Sequence, residues 1–436
     1  MKSIAAHTLG CKVNQYDTQA MLELFISRGY QVVSFDDPAD IYLLNTCTVT
    51  GIGDKKSFQL IRRIKRDHPD SFLIVCGCMA QQRGEELLSC GADLVLGTQR
   101  RSEIVDLVDR ARSLGKPLCA VTPLTSCIPF ERLSISSLNE HTRASLKIQE
   151  GCNNKCTYCI IPAVRGPIRS RPLEDIRSEV LRLRDAGYRE LVLTGIHLSS
   201  YGLDLNKSVS LLDVIQAIQD IDGILRIRLG SLEPTVATPA FAAALKDADK
   251  ICPQFHLALQ SGSDSVLRRM KRRYNTLQYI NGIENLRLVF PHAAFTTDIL
   301  TGFPGETESE LNETKSMITR IGFARIHVFP YSPRPGTEAA MMPGQLSSAE
   351  KERRVRELIS LGDQVSGRYL DSWIGQEAVI LPEEKTEGCW EGYTPEYIRV
   401  RLNAEAECVP GIPVRVRLKT VSRRSAGGLI ISEIIK

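Results

Sequence analysis

The chain has 436 residues, 43% of them hydrophobic and 24% charged, with a net charge of +4. Its length exceeds one ordinary core and implies two or three domains. The weak positive charge permits a nucleic acid partner without demanding one, and no stretch approaches the roughly 18 uninterrupted apolar residues of a membrane helix. Met1–Gly10 lacks the apolar core and cleavage site of a signal peptide, so the cytoplasm is the expected compartment. In a reducing compartment thirteen cysteines are poor disulfide candidates, and any that cluster point to metal binding or catalysis.

The fold class expected is α/β, in three parts. In the first, residues 1–116, strand-like runs at Ile4–Thr8, Ile41–Asn45, Phe72–Cys76 and Asp93–Leu96 alternate with helical patterns at Tyr16–Arg28, Lys55–Arg66 and Arg101–Arg112. That alternation predicts a parallel sheet with helices. Residues 117–142, with several prolines and serines and little periodicity, read as a linker. In residues 143–370, strand-like runs recur at Leu146–Gln149, Leu191–Thr194, Leu225–Leu229, Phe255–Leu259, Phe295–Leu300 and Ile326–Phe329. Helical patterns such as Leu173–Asp185, Leu211–Ile221 and Glu308–Ile321 lie between them. Six βα units predict a partial (β/α)6 barrel, whose active site lies at the C-terminal strand ends. After a helix at Ala349–Leu370, residues 371–436 are rich in β-branched residues and turns, which predicts a small β-barrel.

The segment Glu150–Gly166 reads EGCNNKCTYCIIPAVRG and places Cys152, Cys156 and Cys159 in a C-x3-C-x2-C loop after the first barrel strand. Thiolates so spaced can wrap one face of a 4Fe-4S cubane and leave one iron open, since no near neighbour supplies a fourth cysteine. An open iron can chelate S-adenosylmethionine and pass an electron to its sulfonium, releasing a 5′-deoxyadenosyl radical. Zinc prefers four ligands in two C-x2-C pairs, and only one pair exists here. A thioredoxin-like pair leaves Cys152 unexplained.

Cys11, Cys47 and Cys78 each follow the C-terminal end of a predicted strand in the first part. In a parallel sheet those ends share one edge, so the three can converge on a second cluster. Position alone leaves two alternatives open: buried cysteines that only fill apolar space, and Cys76 in place of Cys78. Cys90, Cys119, Cys127, Cys252, Cys389 and Cys408 show no partner pattern and read as structural, as does Cys76.

The C-x3-C-x2-C loop, with Tyr158 before its last cysteine, resembles the signature of the radical S-adenosylmethionine superfamily. The strings TLGCKVNQYDT at Thr8–Thr18, NTCTVT at Asn45–Thr50 and CGCMAQ at Cys76–Gln81 resemble the N-terminal domain of the methylthiotransferases. The resemblance covers essentially the whole chain, with a C-terminal TRAM domain. It implies Cys78 as the third auxiliary ligand, two 4Fe-4S clusters, and attachment of a CH3–S group to an unactivated carbon. In that scheme one S-adenosylmethionine methylates sulfur held by the auxiliary cluster, and a second supplies the radical.

The same resemblance implies further binding residues. LTGIHLSSYG places Thr194 and Gly195 near the methionine amino group, RLGSLEP places Ser231 and Glu233 at the next strand end, and LQSGSD offers Gln260 and Ser261. TDILTGFPGET supplies Asp298, and Tyr158 completes the cofactor set. Glu233 could instead cap a helix and Asp298 could satisfy buried backbone groups. Basic residues after the strand ends are candidates for a polyanion: Arg165, Arg169 and Arg171, then Arg268, Arg269, Lys271, Arg272 and Arg273. Arg415, Arg417 and Lys419 alternate along a predicted strand ahead of Arg423 and Arg424, as a phosphate-binding face or an ordinary solvated one.

The substrate expected from TLGCKVNQYDT is N6-threonylcarbamoyladenosine at tRNA position 37, in the anticodon stem-loop. The isopentenyladenosine branch usually shows Gln-Met-Asn where this chain has Lys12, Val13 and Asn14. Alternatives are isopentenyladenosine, an aspartate of a ribosomal protein, and a non-catalytic iron–sulfur RNA-binding protein. The reaction also needs an electron donor such as flavodoxin or ferredoxin, and a sulfur donor of unspecified kind.

Overall fold

A computed structural model of the chain describes residues 2–125, 128–135, 142–205, 209–402, 407–422 and 428–435. Cys127, Arg423 and Arg424 lie outside the described residues.

The N-terminal part is a sheet of β1 (Ser3–Thr8), β2 (Gln31–Val33), β3 (Ile41–Thr46), β4 (Phe72–Gly77), β5 (Leu94–Leu96) and β6 (Leu118–Cys119), in the order β2-β1-β3-β4-β5-β6. All its pairings are parallel. Every residue of β3 is buried, as a central parallel strand requires. Alternation splits its side chains between two cores. Ile41 and Leu43 pack with Ile4, Ile74 and Leu96, while Tyr42 and Leu44 pack with Ala5, Leu73 and Val95.

The second part is the expected partial barrel with two short strands added. Its strands are β7 (Arg143–Glu150), β8 (Arg169–Ser170), β9 (Glu190–Gly195), β10 (Arg226–Leu229), β11 (Ser231–Leu232), β12 (Gln254–Leu257), β13 (Ala294–Thr301) and β14 (Arg325–Pro330). They form the runs β10-β9-β7-β8 and β11-β12-β13-β14, bridged between Ile227 and Ile251, with β8 antiparallel to β7. Ala144, Leu146, Ile148, Leu191, Leu193, Ile227 and Leu229 face the surrounding helices. Their alternating neighbours Arg143, Lys147, Glu190, Thr194 and Arg228 therefore face the barrel interior. Helices Pro239–Lys246 and Thr276–Val289 complete the repeat; neither was among the helical patterns read from the sequence.

Helix Ser348–Asp371 leads into a closed barrel of β15 (Glu377–Thr386), β16 (Cys389–Tyr393), β17 (Arg399–Leu402), β18 (Val414–Ser422) and β19 (Leu429–Ile434). It docks under the larger barrel: Arg143 pairs with Glu383 at 2.6 Å, and Arg228 donates to the Pro395 carbonyl at 2.8 Å. The stretch expected as a linker is partly structured. Its start forms β6, Leu133 and Ile135 are buried in the barrel core, and Tyr16 donates its hydroxyl to the Leu133 carbonyl at 2.7 Å.

The first two parts meet through buried charges. Asp17, on helix Lys12–Ser27, accepts from Lys147 at 2.6 Å, from Arg165 at 3.2 Å and from Arg101. Glu150 accepts from Lys147 at 2.5 Å, Arg165 at 2.7 Å and Arg101 at 3.2 Å. None of these five side chains is more than 3% exposed. Arg101 also reaches the Glu131 carboxylate at 2.9 Å, so three cations face three anions.

This packing corrects three assignments. Arg165, Arg169 and Arg171 are buried and cannot meet a polyanion from solvent. Arg169 donates to the Arg165 carbonyl at 2.9 Å, and Arg171 pairs with Glu179. Burial tends to raise the Asp17 carboxyl, but Arg101 and Lys147 outweigh it and hold it below its usual range. A depressed carboxyl stabilises the fold above its unfolded pKa, and that contribution is lost as pH falls below about 4. Asp17→Asn leaves Arg101, Lys147 and Arg165 sharing one fewer anion. The expected loss is about 3–5 kcal/mol at neutral pH, read by urea denaturation, with the deficit shrinking in acid; a loss under about 1 kcal/mol contradicts the network's role.

Candidate active site

The first thiol set surrounds a cavity of about 140 Å³ at the C-terminal strand ends. Its lining includes Cys152, Cys156 and Cys159 together with Tyr158, Ser231 and Glu233. The loop is anchored by backbone contacts: Cys152 donates its N–H to the Gly166 carbonyl at 3.0 Å, and Thr157 to that of Met270 at 3.1 Å. Gly151 has a φ of +73°, and a Cβ there would stand 1.9 Å from the Pro167 carbonyl oxygen, so the chain crossing beneath the loop demands glycine.

Charges around the cavity are paired toward it. Arg272 donates to Cys156 Sγ at 3.2 Å and to Glu233 at 3.1 Å, and Glu233 also meets His197 Nε2 at 3.0 Å. The Asn154 N–H reaches Cys152 Sγ at 3.4 Å. Burial raises the Glu233 carboxyl, but His197 and Arg272 prevail and keep it below the usual range. It makes no side-chain cap to the short helix that follows, so the capping alternative is not what the structure shows. Burial, with crowding by Cys156 and Cys152, pushes the Cys159 thiol up to about 12.

Arg272, expected to face a polyanion, is only 9% exposed and belongs to this cavity instead. Arg273 and Arg268 are exposed, whereas Arg269 is paired with Glu310 and Lys271 with Glu338. Thr194, Gly195, Gln260, Ser261 and Asp298 are not among the residues lining the cavity. Thr194 is buried at the end of β9. Gly195 packs on Gln149, and the Gln260 N–H donates to the Asp298 carbonyl at 2.9 Å. The Asp298 carboxylate stands 3.4 Å from His256 Nε2. On the small barrel, Arg417 pairs with Glu377 and Lys419 with Glu433, so the expected phosphate-binding face is partly neutralised by its own carboxylates; Arg415 is exposed.

The second set lies at the carboxyl ends of the adjacent strands β1, β3 and β4. In a sheet ordered β2-β1-β3, the strands stay parallel but the order in which they are added reverses between β1 and β3, which opens a crevice where α/β sheets bind ligands. Cys11 precedes helix Lys12–Ser27, Cys47 follows β3, and Cys78 begins helix Cys78–Arg83. Gly10 lies so close to Cys47 that a Cβ there would stand 3.2 Å from its Sγ. Burial, with the charges of Cys78 and Cys11, pushes the Cys47 thiol up to about 12. Cys76 instead faces the core with Ile4 and Leu96.

Asn14 and Arg165 tie these loops together. The Asn14 amide donates to the Leu9 carbonyl at 2.8 Å and the Thr46 carbonyl at 3.1 Å, beside Cys11 and Cys47. Its Oδ1 accepts from Arg165, whose Nε–H reaches Cys78 Sγ at 3.2 Å. Among the described residues no three His, Cys, Asp or Glu donors close on one metal ion. A cubane cluster asks for something else, since each thiolate binds a different iron. All six cysteines are free of disulfides, and each set holds three thiols; both donor sets fit a 4Fe-4S group with one iron left open.

Asp17, Asn154 and His197 carry no role in the sequence reading, and Asn14 enters it only as a position that separates family branches. Asp17 left one signal, a carboxylate within the buried stripe Val13, Tyr16, Ala20 and Met21 of an amphipathic helix. In metal-free protein, only thiolate reacts with iodoacetamide. Exposed Cys11 is therefore expected to label first near neutral pH, with Cys47 and Cys159 slow and accelerating about tenfold per pH unit. Peptide mass spectrometry reads the order, and equal rates at all three would contradict it.

Residues 3–97 match an uncharacterized protein family, UPF0004, and residues 146–318 match the radical SAM superfamily. The threonylcarbamoyladenosine tRNA methylthiotransferase MtaB of Bacillus subtilis is 41% identical over 425 residues, covering 96% of this chain and 94% of that protein. The tRNA-2-methylthio-N(6)-dimethylallyladenosine synthase of Pelotomaculum thermopropionicum is 35% identical, covering 89% and 88%. The radical S-adenosylmethionine methyltransferase TsrM of Kitasatospora setae shares the fold with a TM-score of 0.58 at 13% identity, covering 78% of this chain and 77% of that one. On its match to a relative across nearly the whole length, the chain belongs to the methylthiotransferase family of radical S-adenosylmethionine enzymes, transferases that work with S-adenosylmethionine and two 4Fe-4S clusters.

Proposed function

We propose that this enzyme attaches a methylthio group to carbon 2 of N6-threonylcarbamoyladenosine at position 37 of tRNA. The observation that carries the reaction class is the pair of three-thiol sets linked across the domain boundary by Arg165. The substrate rests on the greater identity to the B. subtilis threonylcarbamoyladenosine enzyme than to the dimethylallyladenosine synthase.

In this reading Cys152, Cys156 and Cys159 hold the radical cluster, and Cys11, Cys47 and Cys78 the auxiliary one. When bound, these groups and S-adenosylmethionine supply a 5′-deoxyadenosyl radical that takes hydrogen from the substrate carbon, and a methylated sulfur to replace it. The chain's own residues set the conditions. Arg272 and the Asn154 N–H direct positive charge at Cys156 and Cys152, which favours the ligating thiolates. Arg165 does the same at Cys78. Glu233, ionised and oriented by His197 and Arg272, presents a carboxylate suited to ribose hydroxyls or the methionine ammonium. Tyr158 and Ser231 share its cavity. Thr194 and Gly195 are assigned to the methionine amino group, and Gln260, Ser261 and Asp298 to polar groups of the cofactor or substrate.

Arg273 and Arg415, both exposed, are the residues best suited to RNA phosphates, with Arg417 and Lys419 available where phosphate displaces their carboxylate partners. The small closed barrel is read as a TRAM domain that grips the anticodon stem-loop. No helix among the described residues is long and apolar enough to cross a membrane, and a cytoplasmic setting with a flavodoxin- or ferredoxin-like electron donor and a separate sulfur donor fits the reaction.

Nucleoside analysis of tRNA from a deletion strain tests the substrate. The methylthio derivative of threonylcarbamoyladenosine is expected to vanish while that of isopentenyladenosine persists; an unchanged level sinks the proposal. Reconstituted enzyme is expected to hold roughly eight irons. Replacing Cys11, Cys47 and Cys78 by Ala is expected to remove about half of them and to leave reductive formation of 5′-deoxyadenosine, measured by chromatography. Full iron content in that variant would remove the auxiliary site.

A further inference from the structure

Helix Lys12–Ser27 lies against β7 and β9, and its Asp17 meets Lys147 on the interior face of β7. The helix therefore covers the interior side of the barrel, and Lys12 stands at its first position, directly after Cys11. The Lys12 side chain keeps solvent-accessible surface, yet the protein around it lowers its pKa by burial, and Tyr397, Arg228, Arg143 and Glu190 are its electrostatic neighbours. A group that is accessible yet enclosed in this way, with neighbours from the barrel strands and the small barrel, projects into the barrel lumen rather than into bulk solvent.

The other charges there are taken. Glu190 pairs with Arg228 at 2.8 Å and Arg226 at 3.6 Å, Arg143 pairs with Glu383, and Asp298 faces His256. Among the described residues Lys12 has no hydrogen-bond or ion-pair partner within 4 Å. Lys12, Arg143, Arg226 and Arg228 outnumber the carboxylates that pair with them, Glu190 and Glu383, so their immediate surroundings carry an excess of positive charge.

The proposed substrate supplies the missing partner, and the inference rests on that reading. Its N6 substituent ends in a threonine carboxylate. Carbon 6, which bears N6, and carbon 2, where the reaction occurs, flank the same ring nitrogen, so the acidic arm and the reacting carbon share one edge of the base. With Cys11 proposed to hold the group that delivers sulfur to carbon 2, the residue next to Cys11 stands beside that edge. We propose that Lys12 binds the carboxylate of the threonylcarbamoyl group and so selects this nucleoside over those with neutral N6 substituents. A lysine ammonium and a carboxylate in a lumen walled by protein form a charge-assisted hydrogen bond stronger than one between neutral groups.

Holoenzyme binding to two anticodon stem-loop RNAs, one with N6-threonylcarbamoyladenosine at position 37 and one with adenosine, tests this by fluorescence anisotropy. Wild type is expected to prefer the modified RNA by roughly tenfold. Lys12→Met is expected to abolish that preference and Lys12→Arg to keep most of it, both with unchanged iron content. A preference retained in Lys12→Met overturns the assignment. The methionyl group of S-adenosylmethionine also carries a carboxylate, so S-adenosylmethionine affinity is measured in parallel. Loss of that affinity in Lys12→Met with the RNA preference intact assigns Lys12 to the cofactor and likewise overturns the proposal. If wild type forms no methylthio product on tRNA carrying threonylcarbamoyladenosine, the substrate reading itself fails, a separate outcome.

Discussion

The structure depends on a charge network that water does not reach. Asp17 and Glu150, from different parts of the chain, each accept from Lys147, Arg101 and Arg165. Ions in such a place lose hydration worth several kcal/mol each, and only close pairing with full hydrogen bonding offsets that loss. The arrangement is therefore intolerant of displacement. A shift of the N-terminal sheet against the barrel would separate several pairs at once, so the two parts are held in one register.

That register sets the relation between the thiol sets. Arg165 lies six residues after Cys159, and its side chain crosses the boundary to Cys78. Arg272 plays a corresponding part within the barrel, reaching Cys156 and Glu233 together. In both places a guanidinium stands against a sulfur and a carboxylate, a combination that satisfies its planar fork and lowers the cost of negative charge on the thiol. Lysine could not serve both partners with the same geometry. Burial alone works the other way, as the raised thiols of Cys47 and Cys159 show.

The arginines that looked in sequence like an RNA surface are mostly internal wiring. In a linear string, Arg165, Arg169 and Arg171 are three charges after a loop, and solvation is the ordinary fate of such charges. Nothing local marks Asp17 as a partner, because it lies 148 residues from Arg165. The helix over Thr276–Val289 is hidden in the sequence by its own composition. Its buried residues Tyr279, Gly282, Ile283 and Leu286 include a glycine, and exposed Leu277 and Leu288 blur the apolar stripe. By contrast Leu173–Asp185 and Glu308–Ile321 have clean periodicity and form helices over those same bounds.

Sequence by itself determined the alternating strands and helices, the three-part order and the C-x3-C-x2-C loop, since each depends on residues close along the chain. It also brought Cys11, Cys47 and Cys78 to one sheet edge, because parallel strands share the direction of their ends. It left Cys76 and Cys78 equivalent. Tertiary structure separated them, turning Cys76 into the core with Ile4 and Leu96 and setting Cys78 against Arg165. The same is true of Arg272, which local sequence places on a basic segment and the fold places at Cys156. Whether a charge meets solvent, a thiol or a carboxylate depends on which distant elements pack around it, and local periodicity carries no information about that packing.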